Sequence, residues 1–250
     1  MSKYLNGSTT SPSSYDKDKT KAKTADLILE LRDLQAVLYA EAKRSVLIVL
    51  QGIDASGKDG TVKHVFTGVN PMGCQVHSFK APTELDMSHD FLWRVHQFAP
   101  AKGMMEIFNR SHYEDILVPT VHKLLPKEVI KKRYDYINSF EQLLTDSGTI
   151  IFKFFLHISK EEQAERFQER KTNPEKEWKY QPEDMNESKF WDDYMKVYED
   201  IFEHCSPAIP WTIVPADQNW YRNYFIAKTL VEKLKSLNMK YPSPILIPNL

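Results

Sequence analysis

Cysteine is scarce: Cys74 and Cys205 are the only two in 250 residues. They carry no metal-ligand spacing and build no disulfide framework, which suits a reducing cytoplasm. No charge of one sign prevails either. The formal net charge of −1 excludes a basic field over the whole surface, so nucleic acid is not an expected partner, and any polyanion must be held in a local basic groove. Residues 1–24 are rich in Ser, Thr and Lys and lack an apolar core, so they read as neither signal peptide nor membrane span, and no membrane partner is expected. Internal repeats are absent, as are low-complexity tracts beyond that arm.

What remains is ordinary for a globular chain, with 42% hydrophobic and 27% charged residues in a length that suits one sizeable domain. The expected organisation is a flexible arm over 1–24, ordered only where it packs on a neighbour, then one domain over 25–240. A Pro-rich tail over 241–250 is apolar enough to pack, with another subunit as one candidate surface.

Helical spacing of Leu27, Ile28, Leu31, Leu34, Val37 and Leu38 predicts a helix from about Ala25 to Lys43. Strands are expected at 46–50, 76–79, 104–108, 149–156 and 211–214, and helices at 58–69, 88–98, 127–147 and 219–237. Ser159 with Glu162 forms a capping-box pattern that opens one more helix. Apolar strands alternating with helices predict a parallel sheet covered on both faces, an α/β class.

The most informative stretch follows the first strand: Gly52-Ile53-Asp54-Ala55-Ser56-Gly57-Lys58-Asp59-Gly60-Thr61. Glycines at this spacing let backbone N–H groups turn around an anion, the next helix adds its positive end, and Lys58 adds a point charge. Phosphate binding is therefore expected from Gly52, Ala55, Ser56, Gly57, Lys58, Asp59, Gly60 and Thr61. Asp59 stands where a magnesium-holding Ser or Thr usually follows the lysine. A carboxylate inside the loop needs a cation between itself and the phosphates, which makes Asp54 a magnesium-site candidate.

The third strand runs into Asn109-Arg110-Ser111-His112-Tyr113-Glu114-Asp115. Ligands of open α/β sheets sit beyond the carboxyl ends of strands, so Asn109 and Arg110 are expected to face the loop. Arg110 could clamp phosphate oxygens or form an ion pair with Glu114 or Asp115. Glu114 and Asp115 could hold a second metal or orient Arg110. Arg166 and Arg170, four apart on one helix face, lead into a basic, aromatic, turn-rich segment containing Lys179; a lid over 166–186 is expected there, against the alternative of a solvated helix end. Lys131-Lys132-Arg133 reads as a solvated face, with a polyanion channel shared by Lys63, Lys80 and Arg94 as the alternative.

The loop GIDASGKDGT, the segment FNRSHYED and the stretch ERFQERKTNPEKEWKYQPED resemble the polyphosphate kinase 2 family, over about Leu27 to Leu237. The resemblance implies a thymidylate-kinase-like P-loop kinase fold, a three-layer sandwich with a parallel sheet and a helical lid. It implies magnesium-dependent, reversible transfer of the terminal phosphoryl group of inorganic polyphosphate to a nucleotide, with Mn²⁺ as a substitute cation. Asp54, Lys58, Arg110 and Arg170 are then the catalytic set, with Asn109 at the Walker B position and a candidate metal residue beside Asp54 and Glu114. Asn109, where much of the family has Asp, together with His112, Glu114 and Asp115 resembles class III, whose members accept both AMP and ADP and yield ADP and ATP; other nucleotides are further candidates. A homodimer or homotetramer is expected on resemblance alone. Two rival readings are an ATP-dependent nucleoside monophosphate kinase and a non-catalytic nucleotide-binding protein.

Overall fold

The computed structural model describes residues 3–179, 186–205 and 207–243, and of Lys179 the backbone only. At its centre is β1 (Ser45–Gln51), every residue of which is buried. It pairs in parallel with β3 (Met105–Asn109) on one side and β4 (Thr149–His157) on the other. β2 (Cys74–Ser78) and β5 (Trp211–Pro215) complete a five-stranded parallel sheet in the order β2-β3-β1-β4-β5. Helices cover both faces, which is why β1 and the later part of β4 are apolar without alternation. The arrangement is a P-loop kinase fold. Register places Leu50 opposite Asn109, so the loop after β1 and the turn after β3 leave the sheet side by side. This is the carboxyl edge where such sheets bind ligands.

Several elements differ from the sequence-based expectation. α1 (Lys17–Glu41) begins eight residues before the expected Ala25, because the Asp16 carboxylate accepts the Lys19 N–H at 2.9 Å and caps it there. The residues before it, read as a flexible arm, make specific contacts. Glu199 accepts the backbone N–H of Lys3, Tyr4 and Leu5, Thr9 donates to Asp217 at 2.6 Å, and Tyr15 packs on Tyr221 and Tyr224. Polarity signalled a lack of core, but these groups bond to acidic partners about two hundred residues away, which local composition does not show.

α2 (Lys58–Val65) stops four residues short of the expected Val69. Of the helix expected over 88–98, α4 (Trp93–His96) is the helical part, and a short helix, α3 (Glu84–Met87), precedes the expected span. Between them the Asp90 side chain takes the Leu92 N–H at 3.0 Å, a side-chain capture that competes with helix. α5 (Glu114–Val121) and α8 (Trp191–Cys205) were not anticipated. α6 (Lys127–Asp146), α7 (Lys160–Thr172) and α9 (Asn219–Ser236) stand close to expectation. At the start of α7, Ser159 caps the Glu162 N–H, while the Glu162 carboxylate turns to Arg166 at 2.6 Å. Residues 180–185 of the expected lid and 244–250 of the expected tail lie outside the described residues.

Candidate active site

The loop between β1 and α2 folds as its glycines require. Gly57 has φ of 98°, and a Cβ there would stand 2.0 Å from a terminal nitrogen of Arg222. At Gly52 a Cβ would meet the Leu156 carbonyl oxygen at 2.9 Å. Lys58 lies along the inside of the loop, its Nζ donating to the carbonyls of Gly52 at 2.6 Å and Ile53 at 3.1 Å. Burial, reinforced by the Arg110 charge, lowers the Lys58 ammonium to about 8.

Beside the loop, Arg110 sits at φ of 62°, a left-handed conformation that a non-glycine residue adopts at a cost of about 1–3 kcal/mol. Its N–H is held by the Leu50 carbonyl, and its guanidinium donates to Asp54 Oδ1 at 2.6 Å. Glu114 stands on the other side of the same guanidinium at 3.8 Å. The ion pair left open by the sequence is therefore made chiefly within the loop, with Asp54. Burial raises the Glu114 carboxyl above the usual range against the pull of Arg110 and Lys58.

Asn109 and Asp59, the two departures from the common pattern, meet each other: the Asn109 amide donates to Asp59 Oδ1 at 2.9 Å. An aspartate at 109 would bring two carboxylates together there, so each departure accommodates the other.

Two cavities adjoin this cluster. The larger, about 1190 Å³, is lined on one side by the loop and Asn109 and on the other by Lys80, Arg166, Arg170 and Arg222. The smaller, about 170 Å³, is lined by Gly52, Glu114, His122, Gln163, Trp191 and Tyr194, among others. Among the described residues, Asp54 and Arg110 are the two that line both.

Arg166 lies against the loop but works on backbone. It donates to the carbonyls of Ala55 at 2.8 Å, Ala216 at 2.8 Å and Asp217 at 2.9 Å, with Glu162 as its counter-charge. Arg170 lines the large cavity with its guanidinium carbon 5.3 Å from the Phe167 ring. The Lys179 side chain lies outside the described residues.

Two expected phosphate residues point elsewhere. Arg94 is buried in a pair with Asp115 at 3.0 Å and donates to the Lys80 carbonyl, because burial makes a paired arginine far cheaper than a free one. Thr61 is fully buried, and its hydroxyl returns to the Gly57 carbonyl within α2. Arg133 is likewise drawn to Asp115 and stacks on Phe91 at 4.6 Å. Sequence reasoning missed Arg222 and Trp220, which reach the cavity from the first turn of α9. Neither sits in a recognisable motif; only the sheet order brings that turn to the loop.

A sequence model of the family described as Polyphosphate kinase 2 (PPK2) matches residues 14–242. The chain belongs to the polyphosphate kinase 2 family. It is 53% identical over 215 residues to the AMP/ADP-polyphosphate phosphotransferase of Meiothermus ruber, covering 86% of this chain and 80% of that one. To the ADP-polyphosphate phosphotransferase of Rhodopseudomonas palustris it is 44% identical over 225 residues, 85% of this chain and 78% of the relative. Among solved structures, polyphosphate kinase 2 from Arthrobacter aurescens TC1 superposes with a TM-score of 0.94 at 39% identity, covering 97% of this chain and 88% of that one. As a polyphosphate kinase 2 family member, the chain has its P-loop, Arg110 turn and Arg170 helix inside the matched span. No helix among the described residues is long and apolar enough to cross a membrane.

Proposed function

We propose that this chain transfers the terminal phosphoryl group of inorganic polyphosphate to AMP and ADP, giving ADP and ATP. The observation that carries the reading is that Asp54 and Arg110 line both cavities. In-line transfer places the donor and acceptor oxygens on opposite sides of the moving phosphoryl group, and an arginine shared by two cavities can stabilise that group between them. The cation-lined larger cavity suits a polyanion, and the smaller, with Trp191 and Tyr194, suits the acceptor nucleotide.

The acceptor phosphate oxygen is already anionic at neutral pH, so the residues need not remove a proton from it. Their task is alignment and charge stabilisation. Lys58 holds outer phosphate oxygens, Arg110 stabilises the moving group, and Arg170 closes on the donor side. Asn109 keeps Asp59 aligned in the first turn of α2.

Magnesium commonly keeps several waters and binds proteins through one or two carboxylates plus substrate phosphates. The residues fit that mode: Asp54 and Glu114 flank the site, and no cluster of three His, Cys, Asp or Glu side chains forms a cage among the described residues. Asp54 would hold the cation with Glu114 beside it, Asn109 is too engaged with Asp59 to be a primary ligand, and manganese would be accepted in the same place. When bound, the cation neutralises phosphate charge and orients its oxygens.

The test offers purified protein magnesium and AMP or ADP, with polyphosphate or ATP as donor, and follows the nucleotides by chromatography. The expected result is ADP and ATP from AMP, and ATP from ADP, when polyphosphate is supplied. AMP phosphorylated by ATP alone would contradict the proposal and favour a nucleoside monophosphate kinase.

A further inference from the structure

Arg222 is 1% exposed and occupies the first turn of α9. A cation is disfavoured there twice over, by burial and by the positive end of the helix. Its hydrogen-bond partners make the placement stranger. Nη1 donates to Asn219 Oδ1 at 2.6 Å, and Nε and Nη2 donate to Asn223 Oδ1 at 3.2 and 3.0 Å, all neutral acceptors. Among the described residues no carboxylate lies within ion-pair distance, and burial together with the repulsion of Arg166 lowers the guanidinium to about 9.

Arg166 shows what a bracing arginine looks like in the same place. It reaches three backbone carbonyls and is neutralised by Glu162. Among the described residues the Arg222 guanidinium makes no such backbone bond. Of the five N–H groups of a guanidinium, three are used, which leaves one on each terminal nitrogen, the pair that forks onto an oxyanion. These nitrogens abut the phosphate loop: Nη1 lies 2.0 Å from where a Cβ on Gly57 would stand, and Nη2 lies 3.2 Å from that of Gly60. Arg222 also lines the large cavity with Lys58 and Arg170.

We infer that Arg222 is a phosphate-binding residue, forking onto a phosphoanhydride group lying against Gly57, with glycine at 57 and 60 giving it access. The inference deepens the reading above and rests on it only for the ligand's class, an oligophosphate. That group comes either from polyphosphate or from the nucleotide, and the experiment separates the two.

Inorganic tripolyphosphate and ADP are titrated separately by calorimetry, at fixed magnesium, into wild type, Arg222→Gln and Arg222→Lys. Melting temperatures without ligand are recorded alongside. The expected result is tripolyphosphate affinity weakened about tenfold or more by Arg222→Gln and less by Arg222→Lys, with ADP affinity within about twofold of wild type. The unliganded melting temperature should hold or rise, because an uncompensated buried cation has been removed. Weakened ADP binding alone would keep Arg222 as a phosphate receptor and assign it to the nucleotide. Unchanged affinity for both anions would overturn the inference, whatever the melting temperature. Wild type that binds tripolyphosphate but transfers no phosphoryl group would sink the proposed reaction and leave Arg222 standing.

Discussion

The turn after β3 builds two ionic groups within four residues, and they differ in nearly every respect. Arg110 points to the cavities and pairs with Asp54, the two side chains being 42% and 27% exposed. His112 and Tyr113 point the other way and bond to Glu141, which also receives Lys153 at 2.7 Å, with Lys153 and Glu141 0% and 2% exposed. Lys153 reaches the Cys205 carbonyl as well, so every charge in the inner group is satisfied by the chain itself. A buried network whose charges are all paired can do little except hold a shape. A half-exposed pair opening on two cavities can exchange its partners for phosphate and cation. Charge alone does not mark a functional residue; what marks it is whether the fold has already used that charge.

The largest expected effect falls on the outer group. Arg110→Ala or Lys58→Ala should lower turnover by on the order of 10³-fold or more, while the melting temperature moves little, as steady-state rates and thermal unfolding would show. Wild-type rates in folded variants would erase the distinction between the two groups.

The inner group should respond in the opposite sense. Glu141→Gln leaves Lys153 buried without its counter-charge and should cost about 3–5 kcal/mol of stability, read by denaturant unfolding, with turnover per folded molecule nearly unchanged. Burial pushes the Glu141 carboxyl up, but His112 and Lys153 outweigh it and hold it below the usual range. Its stabilisation is therefore present above the ordinary carboxylate value and lost as pH falls through the lowered one. The pH dependence of unfolding should show this loss on the acid side in wild type and not in Glu141→Gln.

Glu114 sharpens the comparison because it belongs to the outer group yet has a side chain only 15% exposed. Its raised pKa means that its ionised form opposes folding at neutral pH, and the penalty disappears as pH falls through the raised value towards the ordinary one. Glu114→Gln should raise the melting temperature at pH 8, gain nothing near pH 4, and lose magnesium-dependent rate. An unchanged rate would remove Glu114 from the cation site.

The smallest effect is expected at Asn109. Asn109→Asp faces Asp59 with a second carboxylate and should cost about 1 kcal/mol or less, with a higher magnesium requirement in a titration of rate against the cation.

These contrasts also mark how far the sequence could be read. The phosphate loop, the Arg110 turn and the sheet class are local or periodic signals, and they stand where expected. Arg94 misled because its partner Asp115, twenty-one residues on, decides its role. Arg222 was invisible for the converse reason: nothing near it in sequence is a phosphate motif, and it meets Gly57 only because β5 lies beside β4. The N-terminal segment escaped in the same way, since Thr9 finds Asp217 across the fold.

The central claim is that the outer pair serves the reaction and the inner pair the fold. The most direct measurement takes Arg110→Ala and Lys153→Met together, recording polyphosphate-dependent turnover and melting temperature for each. The account predicts a rate loss of about 10³-fold with little thermal change for Arg110→Ala, and a fall of about 10 °C with near-normal turnover below the transition for Lys153→Met. Rate loss with Lys153→Met at temperatures where it is fully folded, or a normal rate with Arg110→Ala, would contradict it.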